Sequence, residues 1–176
     1  MARVRSSRLR AFTLIEAMVV VIVMSIIAVT VMPALGNLEE ARRGAAADEM
    51  ARLLRHARSL AMASGEPTGV AIDLTAETAQ VVRIVSTGAA PTPATDALGQ
   101  PERPVVFPDL YSQVELISIV HGDGSGASGT IWFRFDGVPQ LRTPAGVVVG
   151  PFTQDAVVEL TGARIVTVHM GTGLVE

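Results

Sequence analysis

Residues 10–33 read RAFTLIEAMVVVIVMSIIAVTVMP, an apolar run that contains a single carboxylate, Glu16. From Ala17 to Leu35 the chain has nineteen consecutive residues without a charge. A bilayer core about 30 Å thick is crossed by roughly 20 helical residues. The run therefore predicts an amino-terminal helix that is long enough to span a membrane.

Charge is distributed unevenly along the chain. Four arginines lie within the first eleven residues, and no acidic residue precedes Glu16. By the positive-inside rule, this asymmetry predicts an amino terminus in the cytoplasm, with the rest of the chain facing outward. Without residues 1–11 the chain has 10 Arg and 17 acidic residues, a formal charge of −7, against −3 for the whole chain. From Glu66 onward there are 5 Arg and 12 acidic residues, and so acidic a domain would repel phosphate backbones, which argues against nucleic acid as a partner.

An ordinary membrane segment does not explain Glu16. A carboxylate in lipid costs about 2.5–3.5 kcal/mol on insertion scales, so such a residue indicates a functional site. A cleaved secretory signal is one alternative, because Ala34-Leu35-Gly36 resembles a small-x-small cleavage site. The apolar core of such a signal has only about 7–15 residues, fewer than are found here. A plain membrane anchor, with Glu16 among the headgroups, is the other alternative.

The sequence Ala11-Phe12-Thr13-Leu14-Ile15-Glu16, after a short Arg-rich leader, resembles the processing site of type IV pilin-like proteins. In that family a prepilin peptidase cuts before the Phe and methylates the new amino terminus. The resemblance implies cleavage between Ala11 and Phe12, with Ala11 in the place of the usual Gly. It also implies that Glu16 is the fifth residue of the mature chain and Pro33 the twenty-second, as in the family.

The resemblance also gives Glu16 a partner in an assembled filament. The carboxylate of one subunit would meet the cationic amine of Phe12 on its neighbour. In a low-dielectric core the attraction between these charges far exceeds its value in water, and pairing neutralises both. Such a pair would also set the axial register between subunits. We therefore predict that Phe12, Glu16 and Pro33 are assembly residues.

Helical periodicity continues beyond the apolar run. Apolar residues recur at steps of three and four as far as Ala61, and Ser64-Gly65 followed by Pro67 predicts the end of a helix. The predicted organisation is a leader at 1–11, a transmembrane or filament-core helix at 12–35, an amphipathic continuation at 36–65 and a periplasmic, β-rich head at 66–176.

The head has the sequence pattern of strands. Alternating and β-branched runs predict strands at Thr68–Leu74, Ala79–Val85, Gln113–Val120, Thr130–Asp136, Gly146–Val149, Ala156–Leu160 and Arg164–Met170. The first two should form a hairpin, and Ile131, Phe133 and Phe135 should share one face of the fourth. Residues 87–104, rich in Pro, Ala, Thr and Gly, are expected to form an exposed, mobile loop. We expect roughly seven or eight antiparallel strands packed on the long helix.

A second resemblance covers the head. Ala57-Arg58-Ser59-Leu60-Ala61, then Gly65, a strand, a later Ile-x-Phe strand and Asp136-Gly137 are similar to the H-type minor pseudopilins and their FimT-like relatives (GspH/FimT-like). This resemblance implies an α+β fold. A long N-terminal transmembrane or spine helix packs against a C-terminal antiparallel β-rich head of two sheets.

Residues that could carry chemistry are scattered. Gly124-Ser-Gly126-Ala-Ser-Gly129 satisfies G-x-G-x-x-G, but a predicted strand follows it where a dinucleotide site needs a helix, so we expect a flexible hairpin loop. His121 and Asp123 provide fewer ligands than Ca²⁺ requires. His56 and His169 stand apart from them, and the chain has no G-x-S-x-G nucleophile elbow. We therefore predict no enzyme activity, no cofactor and no metal site.

Three functions are compatible with these features. The resemblance favours a minor pseudopilin of a type II secretion system, held by a single pass in the bacterial inner membrane and assembled near the tip of the pseudopilus. Its partners would be prepilin peptidase, other major and minor pseudopilins, inner-membrane lipid before assembly, and secreted protein cargo. The second function is a FimT-like minor pilin of a type IV pilus or competence system, although the acidic head argues against DNA binding. The third is a membrane-anchored binding domain that does not assemble.

Overall fold

The structure is a computed structural model that describes residues 13–86, 88–96 and 98–176, with residues 30–35 described by their backbone only. It divides into two compact units, with the boundary between Glu40 and Ala41. The first unit contains the amino-terminal part of a helix. The second unit, the head, contains the rest of that helix and all the described strands.

Helix α1 (Leu14–Ser64) covers the predicted amino-terminal helix and its amphipathic continuation. In the first unit, the side chains of residues 14–29 are exposed on every side of the helix. The helical backbone continues through Pro33. α1 ends as predicted, because Gly65 has a φ of +73° and its N–H donates to Ala61 O at 3.0 Å. Glycine commonly ends a helix in this conformation.

Ten strands and one further short helix follow in the described part of the head. In chain order they are β1 (Thr68–Asp73), β2 (Thr78–Arg83), β3 (Thr92–Pro93), β4 (Val105–Val106), α2 (Phe107–Leu110), β5 (Leu116–Val120), β6 (Gly129–Phe133), β7 (Pro139–Arg142), β8 (Val148–Pro151), β9 (Ala156–Leu160) and β10 (Arg164–Val168). β7 was not predicted, and β3 and β4 have only two residues each, which is too short for a sequence pattern to show.

The strands form two antiparallel sheets. Seven strands make the larger sheet, in the order β3-β2-β1-β6-β7-β8, with β4 also paired to β2. The smaller sheet has the order β10-β9-β5. β1 and β2 form the predicted hairpin, and β6, far along the chain, pairs with the other edge of β1. A helix packed against two antiparallel sheets confirms the predicted fold class.

One face of α1 contributes to the apolar core of the head. Its buried members include Ala46, Met50, Leu53, Leu54, Ala57 and Ala61. Their spacing of three and four residues keeps them on one side of the helix. They pack with buried residues from both sheets, among them Val70, Ile131, Phe133, Val158 and Leu160. The opposite face of the larger sheet has a small second cluster of Val82, Ile84 and Trp132.

The predicted strand Thr130–Asp136 is shorter than expected. β6 ends at Phe133, and 61% of Phe135 is exposed, so Phe135 does not share the buried face. A turn begins directly after β6, because Arg134 N–H donates to Val138 O at 2.9 Å. This turn contains the predicted Asp136-Gly137 pair, but it takes Phe135 out of the strand.

The glycine-rich connection at residues 121–128 is not the predicted hairpin loop. It joins β5 of the smaller sheet to β6 of the larger sheet, so the strands on either side of it are not partners. Gly122 is buried here, and a side-chain carbon on it would collide with the ring of Phe152. A strand, β6, follows the glycines, as expected, so the helix that a dinucleotide site requires is missing.

The stretch predicted as an exposed, mobile loop, residues 87–104, is partly built into the larger sheet. β3 pairs with β2, and Thr95 forms an isolated bridge with Pro101. Ala94 is fully buried, and its N–H donates to Val81 O at 2.9 Å. The pairing of β3 with β2 could not be predicted from composition, because Pro, Thr and Gly are typical of loops.

Candidate functional site

The first turn of α1 is closed by two residues three positions apart, Thr13 and Glu16. The N–H and the hydroxyl of Thr13 each donate to Glu16 Oε2 at 2.9 Å, and the N–H of Glu16 donates to Thr13 Oγ1 at 3.3 Å. This reciprocal arrangement is a capping box, which satisfies N–H groups that have no partner within the helix. The capping box was not predicted, although the spacing T-x-x-E in residues 13–16 is its sequence signal.

Thr13 therefore holds the carboxylate of Glu16 at the very start of the helix. The Glu16 side chain is exposed. The predicted cleavage residues, Ala11 and Phe12, lie outside the described residues, as does the side chain of Pro33, whose backbone lies within α1. The pairing of Glu16 with the Phe12 amine of another subunit stays a prediction.

The first unit presents an unusually apolar surface. Leu14 is 80% exposed, Ile15 70% and Val29 75%, and apolar side chains lie on all sides of the helix between them. A helix that is apolar all round is normally covered, by other helices or by lipid. No helix within the described ranges is both long and apolar enough to cross a membrane. The described part of this chain leaves the apolar side chains of residues 14–29 exposed, so their burial requires other helices or lipid.

In the head, Arg58 connects α1 to two distant turns. Its Nε donates to Gly137 O at 3.1 Å, and its Nη2 donates to Thr172 O at 2.9 Å. The two turns are in close contact, because a side-chain carbon on Gly173 would collide with Gly137 O. Arg58 and Asp136-Gly137 were both part of the second sequence resemblance. The structure brings Arg58 and Gly137 together across 79 positions of the chain.

His169 lies between two carboxylates near the end of the chain. Its Nδ1 is 2.9 Å from Asp155 Oδ2, and its Nε2 is 3.4 Å from Glu176 Oε2. Hydrogen bonds to Asp155 and then to Glu176 raise the pKa of His169 above its ordinary value. Asp155 also accepts the N–H of Met170 at 2.8 Å, and hydrogen bonds from Met170 and His169 lower the pKa of Asp155. Through these contacts, Asp155 and His169 hold Glu176 and the residues just before it next to strands β9 and β10.

We expect the stability of the head to depend on pH through His169. A group whose pKa is raised by folding adds stability that is fully present below its unfolded pKa, near 6.5, and is lost as pH rises through the folded value. Asp155, whose pKa is lowered, adds stability above its unfolded pKa, near 3.8, and loses it as pH falls through the folded value. The contribution of the pair should be largest between about pH 4 and pH 6.5.

Thermal unfolding of the full chain in detergent at several pH values measures this effect. The midpoint should fall as pH rises above about 6.5, and a His169→Asn variant should lose that dependence. The change should be small and should shrink with added salt, because the side chains are exposed. A midpoint that falls equally in the variant would show that His169 is not the group responsible.

The other two histidines have local partners. His56 Nε2 lies 2.9 Å from Glu102 Oε1, and His121 Nε2 lies 2.9 Å from Ala127 O. Among the residues that the structure describes, no group of three or more His, Cys, Asp or Glu side chains is placed to hold a metal ion. The three histidines therefore do not form a shared site.

Two comparisons with known proteins found similarity, one to a sequence motif near the amino terminus and one to the fold of most of the chain. Residues 6–32 match the prokaryotic N-terminal methylation motif. The structure resembles two structures of the minor pseudopilin EpsH from the type II secretion system of Vibrio cholerae. One has a TM-score of 0.54 at 12% identity, over 77% of this chain and 92% of that chain. The other has a TM-score of 0.50 at 13% identity, over 77% of this chain and 94% of that chain. No curated protein sequence matches. At such low identity the similarity to EpsH shows a shared fold.

Proposed function

We propose that this chain, a type IV pilin-like protein by its methylation motif and by its fold, is a minor pseudopilin of a type II secretion system. The observation that carries this function is the combination of two features in one chain. The methylation motif covers residues 6–32, and the head has the fold of the minor pseudopilin EpsH. We assign the chain no catalytic role.

The amino-terminal segment is processed before it assembles. It lies first in the inner membrane as a single pass, with the arginine-rich leader in the cytoplasm and the head in the periplasm. Prepilin peptidase removes residues 1–11 by cutting between Ala11 and Phe12, and it methylates the new amino terminus. The resulting amine keeps its positive charge, so the mature chain starts with a cation four positions before Glu16.

Assembly then covers the apolar surface of residues 14–29. The helices of neighbouring subunits stack side by side, and the Phe12 amine of one subunit pairs with Glu16 of the next. The capping box supports this function, since Thr13 already orients the carboxylate at the helix start. A single unpaired charge in such a core is strongly destabilising. Subunits can therefore assemble only in the register that brings the Phe12 amine of one next to Glu16 of another.

The head supplies the contacts that distinguish one subunit from another. Other major and minor pseudopilins are its partners along the filament, and a position near the tip brings it close to secreted protein cargo. Its surface is acidic, with 5 Arg and 12 acidic residues from Glu66 onward. Partners with basic surfaces would therefore be favoured, and nucleic acid would be repelled.

Mass spectrometry of the mature protein tests the processing step. We expect the mass of residues 12–176 with one added methyl group, because the leader is removed and the new amine is methylated. An Ala11→Leu variant is the control, since a bulky residue before the cut should leave the leader attached. Recovery of wild-type protein with an intact leader would contradict the function proposed.

The choice between secretion and piliation needs a separate experiment. A FimT-like minor pilin would have the same processing site, so mass alone does not separate the two machines. Deletion of the gene should stop the release of exported proteins into the medium and leave surface pili intact. Loss of pili with normal secretion would show that the chain is a pilin instead.

A further inference from the structure

A cleft of about 420 Å³ lies on the head at the outer face of the seven-stranded sheet. Its walls come from β6, from β7 and the turn that follows it, and from the connection between β5 and β6. Trp132, which is 1% exposed, forms an apolar part of the wall. The cleft also contains Arg142 and several hydroxyl groups, so it has the mixed lining of a small-ligand site.

Arg142 is a partly buried cation for which the described residues provide no acidic partner. Its Nη1 donates to Gly146 O at 2.7 Å and its Nη2 donates to Gln140 Oε1 at 3.0 Å, and both acceptors are neutral. Its Nε is buried and has no hydrogen-bond partner among the residues that the structure describes. Within the described part of the chain no carboxylate lies within 4.0 Å of Arg142, whereas Arg134 pairs with Asp136 at 2.6 Å. Burial accordingly lowers the pKa of Arg142.

The guanidinium is held in place and still has free donors. Arginine has five N–H groups in a fixed plane, and its two terminal nitrogens use one each here. Two hydroxyls in the cleft are also available as donors, because Ser128 Oγ accepts the N–H of Leu74 and Thr143 Oγ1 accepts the N–H of Val147. A hydroxyl that accepts a hydrogen bond can still donate its own proton. The cleft thus presents a fixed cation beside neutral donors.

Asp123 determines which anion fits. It lines the same cleft, and its Oδ1 accepts from Ser125 N at 2.8 Å and from Ser125 Oγ at 2.6 Å. These hydrogen bonds lower the pKa of Asp123, so it is charged at neutral pH. A phosphate group with two charges is repelled by Asp123 more strongly than a carboxylate with one. A planar carboxylate also matches the fork of a guanidinium.

We propose that the cleft between the β5–β6 connection and β7 binds a carboxylate through Arg142. The hydroxyls of Ser128 and Thr143, which line the same cleft, complete its hydrogen bonds. The carboxylate comes from an acidic side chain of a peptide or from a small free acid. The cleft belongs to the head, so binding does not depend on the processing or assembly of the amino-terminal segment.

Titration of the full chain in detergent, observed by NMR at the arginine Nε–H resonances, tests this site. The probes are N-acetylglutamate amide, acetate, the neutral N-acetylglutamine amide and inorganic phosphate. We expect a saturable shift of the Arg142 resonance with N-acetylglutamate amide. Stronger binding of this probe than of acetate assigns the site to peptide side chains, and equal binding assigns it to small acids. A shift with the neutral amide, stronger binding of phosphate, or no saturation with either carboxylate would overturn the assignment.

Two variants locate the effect at the cleft. Arg142→Gln should weaken N-acetylglutamate amide by at least about tenfold, because the cation is lost. Arg134→Gln is the matched control, since Arg134 pairs with Asp136, and it should leave binding unchanged. Equal loss in both variants would contradict a site at Arg142. If Arg142→Gln does not fold, the wild-type titration decides the question alone, because its signal comes from the Arg142 side chain.

Discussion

A Glu16→Leu variant should be processed normally and yet fail to assemble, with filament or secretion reduced by more than about tenfold. Leucine is compatible with the apolar segment, so the variant should still enter the membrane. It removes the carboxylate that we propose pairs with the Phe12 amine of a neighbouring subunit, so that amine would be left as an unpaired cation in a low-dielectric core. Assembly can be measured by crosslinking of subunits in cells and by release of the exported proteins.

A second substitution at the same position separates two effects of Glu16. Glu16 caps the helix through Thr13 as well as carrying a charge. Glutamine can still form a capping box but has no charge. Glu16→Gln should therefore fail to assemble almost as completely as Glu16→Leu. Normal assembly of the Gln variant would show that capping, and not the ion pair, is what assembly requires.

Glu40→Leu serves as the control for position. Glu40 is an exposed carboxylate on the same helix, and its replacement changes charge and polarity in the same way. We expect assembly of this variant to stay close to wild type. A comparable loss at Glu40 would mean that acidic residues on α1 act through overall charge, which would contradict a specific pair at Glu16.

Gly69→Ala should destabilise the head by about 3 kcal/mol, although only one methyl group is added. Gly69 lies in β1 between two partner strands and faces Val82 on one and Trp132 on the other. A side-chain carbon at this position would lie 2.5 Å from Ile131 O and 2.9 Å from Trp132 Cε3. The carbonyl belongs to the paired backbone of β6 and cannot move without breaking the sheet. Glycine in a strand often marks such a close approach.

Thermal unfolding measures this effect, with Gly150→Ala as the matched control. A loss of about 3 kcal/mol should lower the midpoint by about 10 °C for a domain of this size. Gly150 lies on β8 at the edge of the same sheet, and a side-chain carbon there would meet nothing within 4 Å. The control should therefore unfold close to the wild-type temperature. Equal midpoints for Gly69→Ala and Gly150→Ala would show that the Trp132 side of the sheet is loosely packed.

The predicted and observed structures agree for elements that are determined by residues close together in the sequence. The uncharged run and the Ser64-Gly65 stop each lie within a short stretch of chain, and they predicted the helix and its end. The β1–β2 hairpin was predicted for the same reason, because its strands are close in sequence. The signal for the capping box is also local, in the T-x-x-E spacing of Thr13 and Glu16.

The tertiary structure decided the contacts between distant residues. Pairing of β1 with β6 explains why Gly69 must be glycine, and no pattern within β1 shows that partner. Arg58 reaches Gly137 for the same reason, and Arg142 is left without a carboxylate partner within the described part of the chain. Such pairings depend on which surfaces bury the most apolar area once the whole head has folded, so they cannot be read from spacing or propensity. The helix of the amino-terminal segment could therefore be predicted from its sequence, whereas the cleft on the head became visible only in the fold.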